Sequence, residues 1–287
     1  MKAAPFAYVR PATVGDAVSE LVHADGDAKV LAGGQSLVPV LAMRLARPAT
    51  LVDIGAVDGL SSLRRIGDTV EIGAAVRQRR VERDDLTTSV PLLRMALPWV
   101  GHRELRSRGT VCGSLAHADP AAELPAVACC LRAELDVVGP DGARTVPAQE
   151  FFTGAMTTVV GPAEVLVAAR FPVADRGEGF GFAELARRHG DFALAGVATR
   201  VALDDAGAVR EAVLCAFGVS DRPVRRDVTD LLTDDEAALR EALEPVATAL
   251  VDTAGDAHGS AGYRRRLLTV LAARELIAAR RRAEEAR

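Results

Sequence analysis

The chain has 287 residues, and 49% of them are hydrophobic, enough to form a substantial buried core. The 35 Lys and Arg residues stand against 39 Asp and Glu, for a net charge of -4, and this balance argues against a nucleic-acid binder with a concentrated basic face. Aromatic residues make up only 4%, too few for a base-stacking surface.

The length suggests roughly two domains at about 150 residues each. Met1-Lys2-Ala3-Ala4-Pro5-Phe6 has a lysine but no apolar stretch of the secretory kind after it. No window approaches the roughly 20 apolar residues of a membrane span. The four cysteines, Cys112, Cys129, Cys130 and Cys215, contain no C-x-x-C pair, so neither a disulfide framework nor a zinc or iron–sulfur site is expected. The expectation is a soluble cytoplasmic protein with reduced thiols, without nucleic-acid partner or membrane span.

In chain order, a short helix is expected over residues 17–22 and a strand over 29–32. Leu37, Val40, Leu41, Arg44 and Leu45 recur at helical spacing, and Arg47-Pro48 ends that helix. Residues 50–54 read as a strand, and 63–66 with 70–73 as a hairpin across Gly67-Asp68. Helices follow over 76–83, 91–100 and 121–132, then a strand over 134–138 and a turn at Pro140-Asp141-Gly142 that makes a second hairpin. Residues 172–181 are rich in Pro, Gly and charge and mark the boundary between domains. Beyond them come strands near 182–187, 193–203 and 209–219, then helices over 234–251 and 258–282. The fold class is α+β: a two-part N-terminal domain, 1–175 (subdomains about 1–55 and 56–175), and a C-terminal domain, 176–287, of three antiparallel strands with helices.

Two glycine segments carry the chemistry. The first, Leu31-Ala32-Gly33-Gly34-Gln35-Ser36-Leu37-Val38, follows a strand and opens a helix. Paired glycines allow positive φ and close approach of a ligand to the backbone. Successive amides and the positive helix end make a concave anion site, and Ser36 can cap the helix or bond a phosphate oxygen. A pyrophosphate fits. The segment is neither G-x-G-x-x-G nor a P-loop, and taken alone it is equally a plain structural turn.

The second runs from Arg108 through Gly109, Thr110, Val111, Cys112, Gly113 and Ser114 to Ala118-Asp119-Pro120 and Glu123. Thr110 and Ser114 bring hydroxyls, Pro120 suits the first turn of the next helix, and Glu123 can accept bonds from ribose or ribityl hydroxyls. His117 and Asp119 are too few for a metal ligand set, which leaves a positioning role or a surface location. Cys112 reads as a packing residue, since no paired base is identifiable. Arg103, Arg106 and Arg108 fit phosphates, a partner's acidic surface or a solvated basic loop equally well.

Together these segments resemble the FAD-binding medium subunit of the xanthine dehydrogenase and carbon monoxide dehydrogenase family of molybdenum hydroxylases. The likeness spans essentially the whole chain and rests on five motifs in the family's order. These are Lys2…Phe6-Ala7-Tyr8…Pro11, Ala32 to Pro39 with Met43-Arg44-Leu45, Arg108 to Glu123, Phe182 with Arg187-Arg188…Gly190-Asp191-Phe192-Ala193, and Tyr263-Arg264…Leu267-Leu268…Leu271.

The resemblance implies a vanillyl-alcohol-oxidase (PCMH) type fold holding FAD between two N-terminal subdomains. Leu31 to Val38 would carry the pyrophosphate, and Thr110 to Ser114 the stretch from phosphate to isoalloxazine. Glu123 matches an acidic position of the FAD pocket, Leu166 an apolar position beside the flavin, and Ala183 a position where some members place lysine. Cys112 stands for a common glycine and Ser114 for a common asparagine. The resemblance also implies a large subunit with a molybdenum cofactor and a small subunit with 2Fe-2S clusters, in a heterotrimer that dimerises. This chain would relay electrons from the clusters to an external acceptor and would hold no catalytic or metal-ligating residue of its own. The alternatives are a self-sufficient FAD-dependent oxidase or reductase and a cofactor-less adaptor of the same fold. Replacing Gly34→Val is expected to abolish FAD retention while the chain still folds; unchanged FAD content in the purified variant would count against the assigned segment.

Overall fold

The structure, a computed structural model, describes residues 2–287. Strands Ala7–Val9, Ala28–Leu31 and Thr50–Asp53 form a parallel sheet with Thr50–Asp53 in the centre. Helix Val14–His23 opens on a reciprocal cap between Thr13 and Asp16 and buries Ala17, Val18 and Leu21 against that sheet. Strand Ala7–Val9 was not anticipated, because three residues are too short to show a period. The helix after the first glycine segment spans only Leu37–Ala42, not the stretch up to Arg47. Arg44 turns to φ 59°. Its Nε donates to the carbonyl of Lys2 at 3.0 Å, and the Leu45 amide bonds back to the Val40 carbonyl at 3.0 Å, the left-handed close of a helix end.

The second sheet has five antiparallel strands in the order Leu63–Ile66, Thr69–Gly73, Val165–Pro172, Glu134–Gly139, Gly142–Pro147. Both expected hairpins are present at its two edges, the first turning on Gly67 at φ 55°. The central strand Val165–Pro172 was missed. Its run of buried residues lacks the in–out alternation that marks a half-exposed strand. Helices Gln78–Arg83, Pro91–Ala96, Arg103–Arg106, Val111–His117 and Glu123–Cys130 lie between the second and fourth strands in sequence. Two expectations change here. Much of the second glycine segment is itself helical, and the next helix starts at Glu123, so Pro120 stands before it rather than in its first turn.

The C-terminal sheet has four antiparallel strands rather than the expected three: Glu178–Leu185, Ala195–Leu203, Val209–Phe217 and the short, arginine-bearing edge Val224–Asp227. Phe180, Phe182, Ala198, Val213, Cys215 and Phe217 face the N-terminal core. Val197, Val201, Leu214 and Ala216 face helices Glu236–Leu250 and Ala261–Glu285. The sheet is therefore a wall shared by two cores. Residues 178–181, read from sequence as linker, already belong to the first strand. Their glycines serve contact, not flexibility: a Cβ at Gly179 would lie 1.9 Å from the Ala279 carbonyl oxygen, and one at Gly181 2.5 Å from that of Glu275. The last helix begins at Ala261, capped by Ser260, because residues 255–260 form a small hairpin that turns on Ala257 and His258.

Gly179→Leu is expected to destabilise the chain by at least about 2 kcal/mol through overpacking at the strand–helix contact. Gly262→Ala, in open space on the same helix, is expected to be neutral or slightly stabilising. Thermal or urea unfolding of the two variants checks the contrast.

Candidate functional site, a cleft between two glycine segments

The two glycine segments meet. A Cβ at Gly33 would stand 2.4 Å from the carbonyl oxygen of Arg108 and 2.8 Å from Cα of Gly109, so only glycine permits this approach. Gly34 takes φ 74°, a conformation that other residues enter at a cost. The amides of Gly34, Gln35, Ser36 and Leu37 find no backbone acceptor among the described residues. Ser36 makes no capping bond, contrary to expectation, because its own backbone is already helical. Its exposed side chain and those four amides have no protein hydrogen-bond partner among the described residues.

Beside them lies a cleft of about 400 Å³ lined by Leu31, Ala32, Gly33, Gly34, Gln35 and Val38. Tyr8, Arg10, Asp53, Gly55, Arg77 and Arg108 complete its wall. Asp53 is fully engaged: it accepts from the Gly55 amide at 2.8 Å and from the Tyr8 hydroxyl, with Arg10 at 3.7 Å. Arg77 and Arg108, by contrast, have no carboxylate within salt-bridge distance among the described residues. Burial, and then the neighbouring Arg108 charge, lower the Arg77 guanidinium from its ordinary pKa. Unpaired cations beside orphaned amides suit an anion such as a diphosphate.

The second segment is held by residues that sequence reasoning passed over. Arg77 bridges to Thr110 and donates from Nη1 to the Arg108 carbonyl. Gln78 takes the Gly109 carbonyl on its amide at 2.8 Å and reaches the Thr110 carbonyl with Nε2. Its buried amide oxygen fills the space a side chain at Gly109 would need. Thr110 caps helix Val111–His117 by accepting from the Gly113 amide at 2.9 Å, which explains why a glycine-containing stretch is helical. Only the pairing of Arg77-Gln78 with Gly109-Thr110 reveals these roles, and no local pattern encodes it.

Several expected residues sit elsewhere. Val111 is buried, and Cys112 turns its thiol toward the Ile72 carbonyl, away from the cleft. Burial pushes that thiol up to about 12, which removes it as a nucleophile. Gly113 is half-buried near Ala32, and Ser114 and His117 are also half-buried. Asp119 closes a local turn on the Ala121 amide at 2.8 Å. Leu166 is buried in the central strand. Ala183 packs against the C-terminal helices, whereas its neighbour Glu184 is buried on the strand's opposite face. Arg106 is neither solvated nor directed at a ligand: it pairs with Glu82 and donates to the Val100 and Gly101 carbonyls. Arg103 is exposed.

Glu123 and Glu184 are a pair that the sequence half revealed. Both are buried, and Glu184 Oε2 has no hydrogen-bond partner among the described residues. Burial pushes Glu123 up to about 7, with the Asp119 charge adding to it. Burial, and then the Glu123 charge, push Glu184 up to about 8.

This cradle sits in a chain whose residues 4–174 match the FAD binding domain in molybdopterin dehydrogenase and whose residues 180–279 match the CO dehydrogenase flavoprotein C-terminal domain. The chain therefore belongs to the family of FAD-binding medium subunits of molybdenum hydroxylases. It is 36% identical to the 6-hydroxypseudooxynicotine dehydrogenase complex subunit alpha of Paenarthrobacter nicotinovorans, across 99% of this chain and 97% of that one. It is 33% identical to the carbon monoxide dehydrogenase medium chain of Afipia carboxidovorans, across 97% and 98%. Carbon monoxide dehydrogenase from Hydrogenophaga pseudoflava superposes with a TM-score of 0.93 at 33% identity, over 98% of this chain and 99% of that one. The residues fit the cofactor: the cleft beside Gly33 and Gly34 has the room, and the four amides without a backbone acceptor offer the donors, for a dinucleotide phosphate.

The raised carboxyls make stability pH-dependent. Unfolded, both release their protons near 4.5; folded, they hold them until about 7 and about 8. Their contribution is thus fully present below pH 4.5 and is lost as pH rises through 7 and 8. The unfolding midpoint of the chain without cofactor should fall between about pH 5 and about pH 9, and Glu184→Gln should flatten part of that slope. Equal slopes in the two proteins would refute the assignment.

Proposed function

We propose that this chain is the electron-relaying subunit of a molybdenum-containing hydroxylase or dehydrogenase. Bound FAD would supply the redox step, taking electrons from 2Fe-2S clusters of a small partner and passing them to an external acceptor. A large partner with a molybdenum cofactor would oxidise the substrate, and the three chains would form a heterotrimer that dimerises in the cytoplasm. The relatives support this reading by name, as a medium chain and as a dehydrogenase complex subunit. Among the described residues no His, Cys, Asp or Glu cluster suits a metal, and no helix is long and apolar enough to cross a membrane.

The observation that carries the proposal is the contact of Gly33 with the Arg108-Gly109 backbone, which joins both glycine segments at one cleft. There Leu31 to Val38, with the Arg77 and Arg108 guanidiniums, would hold the diphosphate. Thr110 to Ser114 would position the chain toward the flavin ring, and Glu123 would accept from hydroxyls. The two N-terminal sheets then correspond to the subdomains of a vanillyl-alcohol-oxidase type domain, residues 1–175, with residues 176–287 closing the ring side. Ala183 would contribute its backbone only.

The purified chain, offered FAD, should show flavin absorbance near about 450 nm and no turnover of an organic substrate by itself. Co-purification from the native host should bring down a cluster-bearing chain and a molybdenum-bearing chain. No flavin uptake, or substrate oxidation by the lone chain, would overturn the proposal.

A further inference from the structure

Arg264 lies in the first turn of the last helix, Ala261–Glu285, and is 6% exposed. Its Nη1 donates to the Leu194 carbonyl at 2.5 Å and the Gly218 carbonyl at 2.9 Å, and its Nη2 to the Asp256 carboxylate at 2.7 Å. Those acceptors belong to three segments that are remote from one another in sequence. Burying a guanidinium is expensive unless its donors are used, and Nε remains without a partner. Simple packing of a helix on a sheet would be served better by an apolar residue.

Both backbone acceptors lead toward the cleft-bearing domain. Gly218 donates its own amide to the Pro120 carbonyl at 2.8 Å, within the turn that runs from Asp119 to Glu123. It takes φ 74°, and a Cβ there would lie 2.8 Å from the Ala193 carbonyl oxygen. Leu194 donates to the Leu185 carbonyl at 2.8 Å and so closes the connection 186–193. That connection rests on the N-terminal domain: His189 stacks on Trp99 at 5.8 Å, and a Cβ at Gly190 would meet His102 at 2.9 Å. One guanidinium therefore ties the connection 186–193 and, through Gly218, the turn at Pro120 to a single point.

We propose that Arg264 is a positioning residue for the flavin site, fixing the connection 186–193 and the Asp119–Glu123 turn together. This rests on the FAD reading above. Lysine cannot reproduce the arrangement, because a single ammonium lacks the planar fork that reaches two carbonyls and a carboxylate at once. Asp256 is the outer brace: its carboxylate is half exposed, so its pairing adds little.

The test uses the full chain with Arg264→Met, Arg264→Lys and Asp256→Asn. It reads FAD affinity by fluorescence titration, visible circular dichroism at saturating FAD, and amide hydrogen exchange with and without FAD. Arg264→Met should weaken FAD by about tenfold, the scale of one lost charge-assisted hydrogen bond. It should also alter the flavin dichroism and speed exchange in residues 186–194 and 118–122 above the rest of the chain. Arg264→Lys should show the same pattern in smaller degree, and Asp256→Asn should stay near the parent protein. Parental affinity and dichroism in Arg264→Met, or exchange that rises evenly over the whole chain, would overturn the proposal. If the methionine variant does not fold, the lysine variant decides by the same readouts. A parent chain that binds no FAD sinks the FAD reading alone, because exchange in the cofactor-free chain still reports whether Arg264 holds the two segments.

Discussion

The approach of Gly33 to the Arg108 carbonyl and the Gly109 Cα is the contact on which the site depends. It brings the end of a strand in the small parallel sheet against a segment extending from the helical layer of the second sheet. Neither partner has a side chain at the contact, so their backbones lie closer than any other residue pair would permit. The cost is entropic, and fixed neighbours offset it: Gln78 and Arg77 hold the Arg108–Thr110 stretch by its carbonyls, while Ile54 ties back to Leu31. A surface built this way exposes amides rather than side chains. Such a surface recognises a phosphate without discriminating by side-chain shape.

The C-terminal sheet extends this constraint across the molecule. Phe182 and Phe217 stack at 5.7 Å on the face turned to the N-terminal core, while alternate residues of the same strands serve the helices behind. Because the sheet belongs to two cores, the last helix and the connection 186–193 meet beside it, at the Leu194 carbonyl to which Arg264 donates. The arginines divide accordingly. Arg106 and Arg264 are buried, and each pairs with a carboxylate besides donating to backbone carbonyls, whereas Arg77 and Arg108 at the cleft have no carboxylate within salt-bridge distance among the described residues.

Much of the architecture was legible because it is local. The middle of the first helix, the two hairpins of the five-stranded sheet and the two closing helices all carry periodicity or turn residues, whereas the Thr13 cap and first turn of that helix were not read. What escaped was short or buried on both faces: Ala7–Val9, Val165–Pro172 and Val224–Asp227. Glycine misled twice. At Gly179 and Gly181 it marks close packing within a strand rather than a linker, and at Gly113 it lies within a helix that Thr110 caps.

Taken by itself, the sequence determined the α+β class, the two glycine segments, the family likeness and the lack of a cysteine set for clusters. These depend on residue type and spacing along one stretch of chain. The tertiary structure alone decided that Gly33 faces Arg108, that Arg77 and Gln78 hold the second segment, that Ala183 turns away while Glu184 turns inward, and that Arg264 gathers three distant segments. Periodicity tells which side of an element is buried, but the partner on that side is set by packing between residues far apart in the chain.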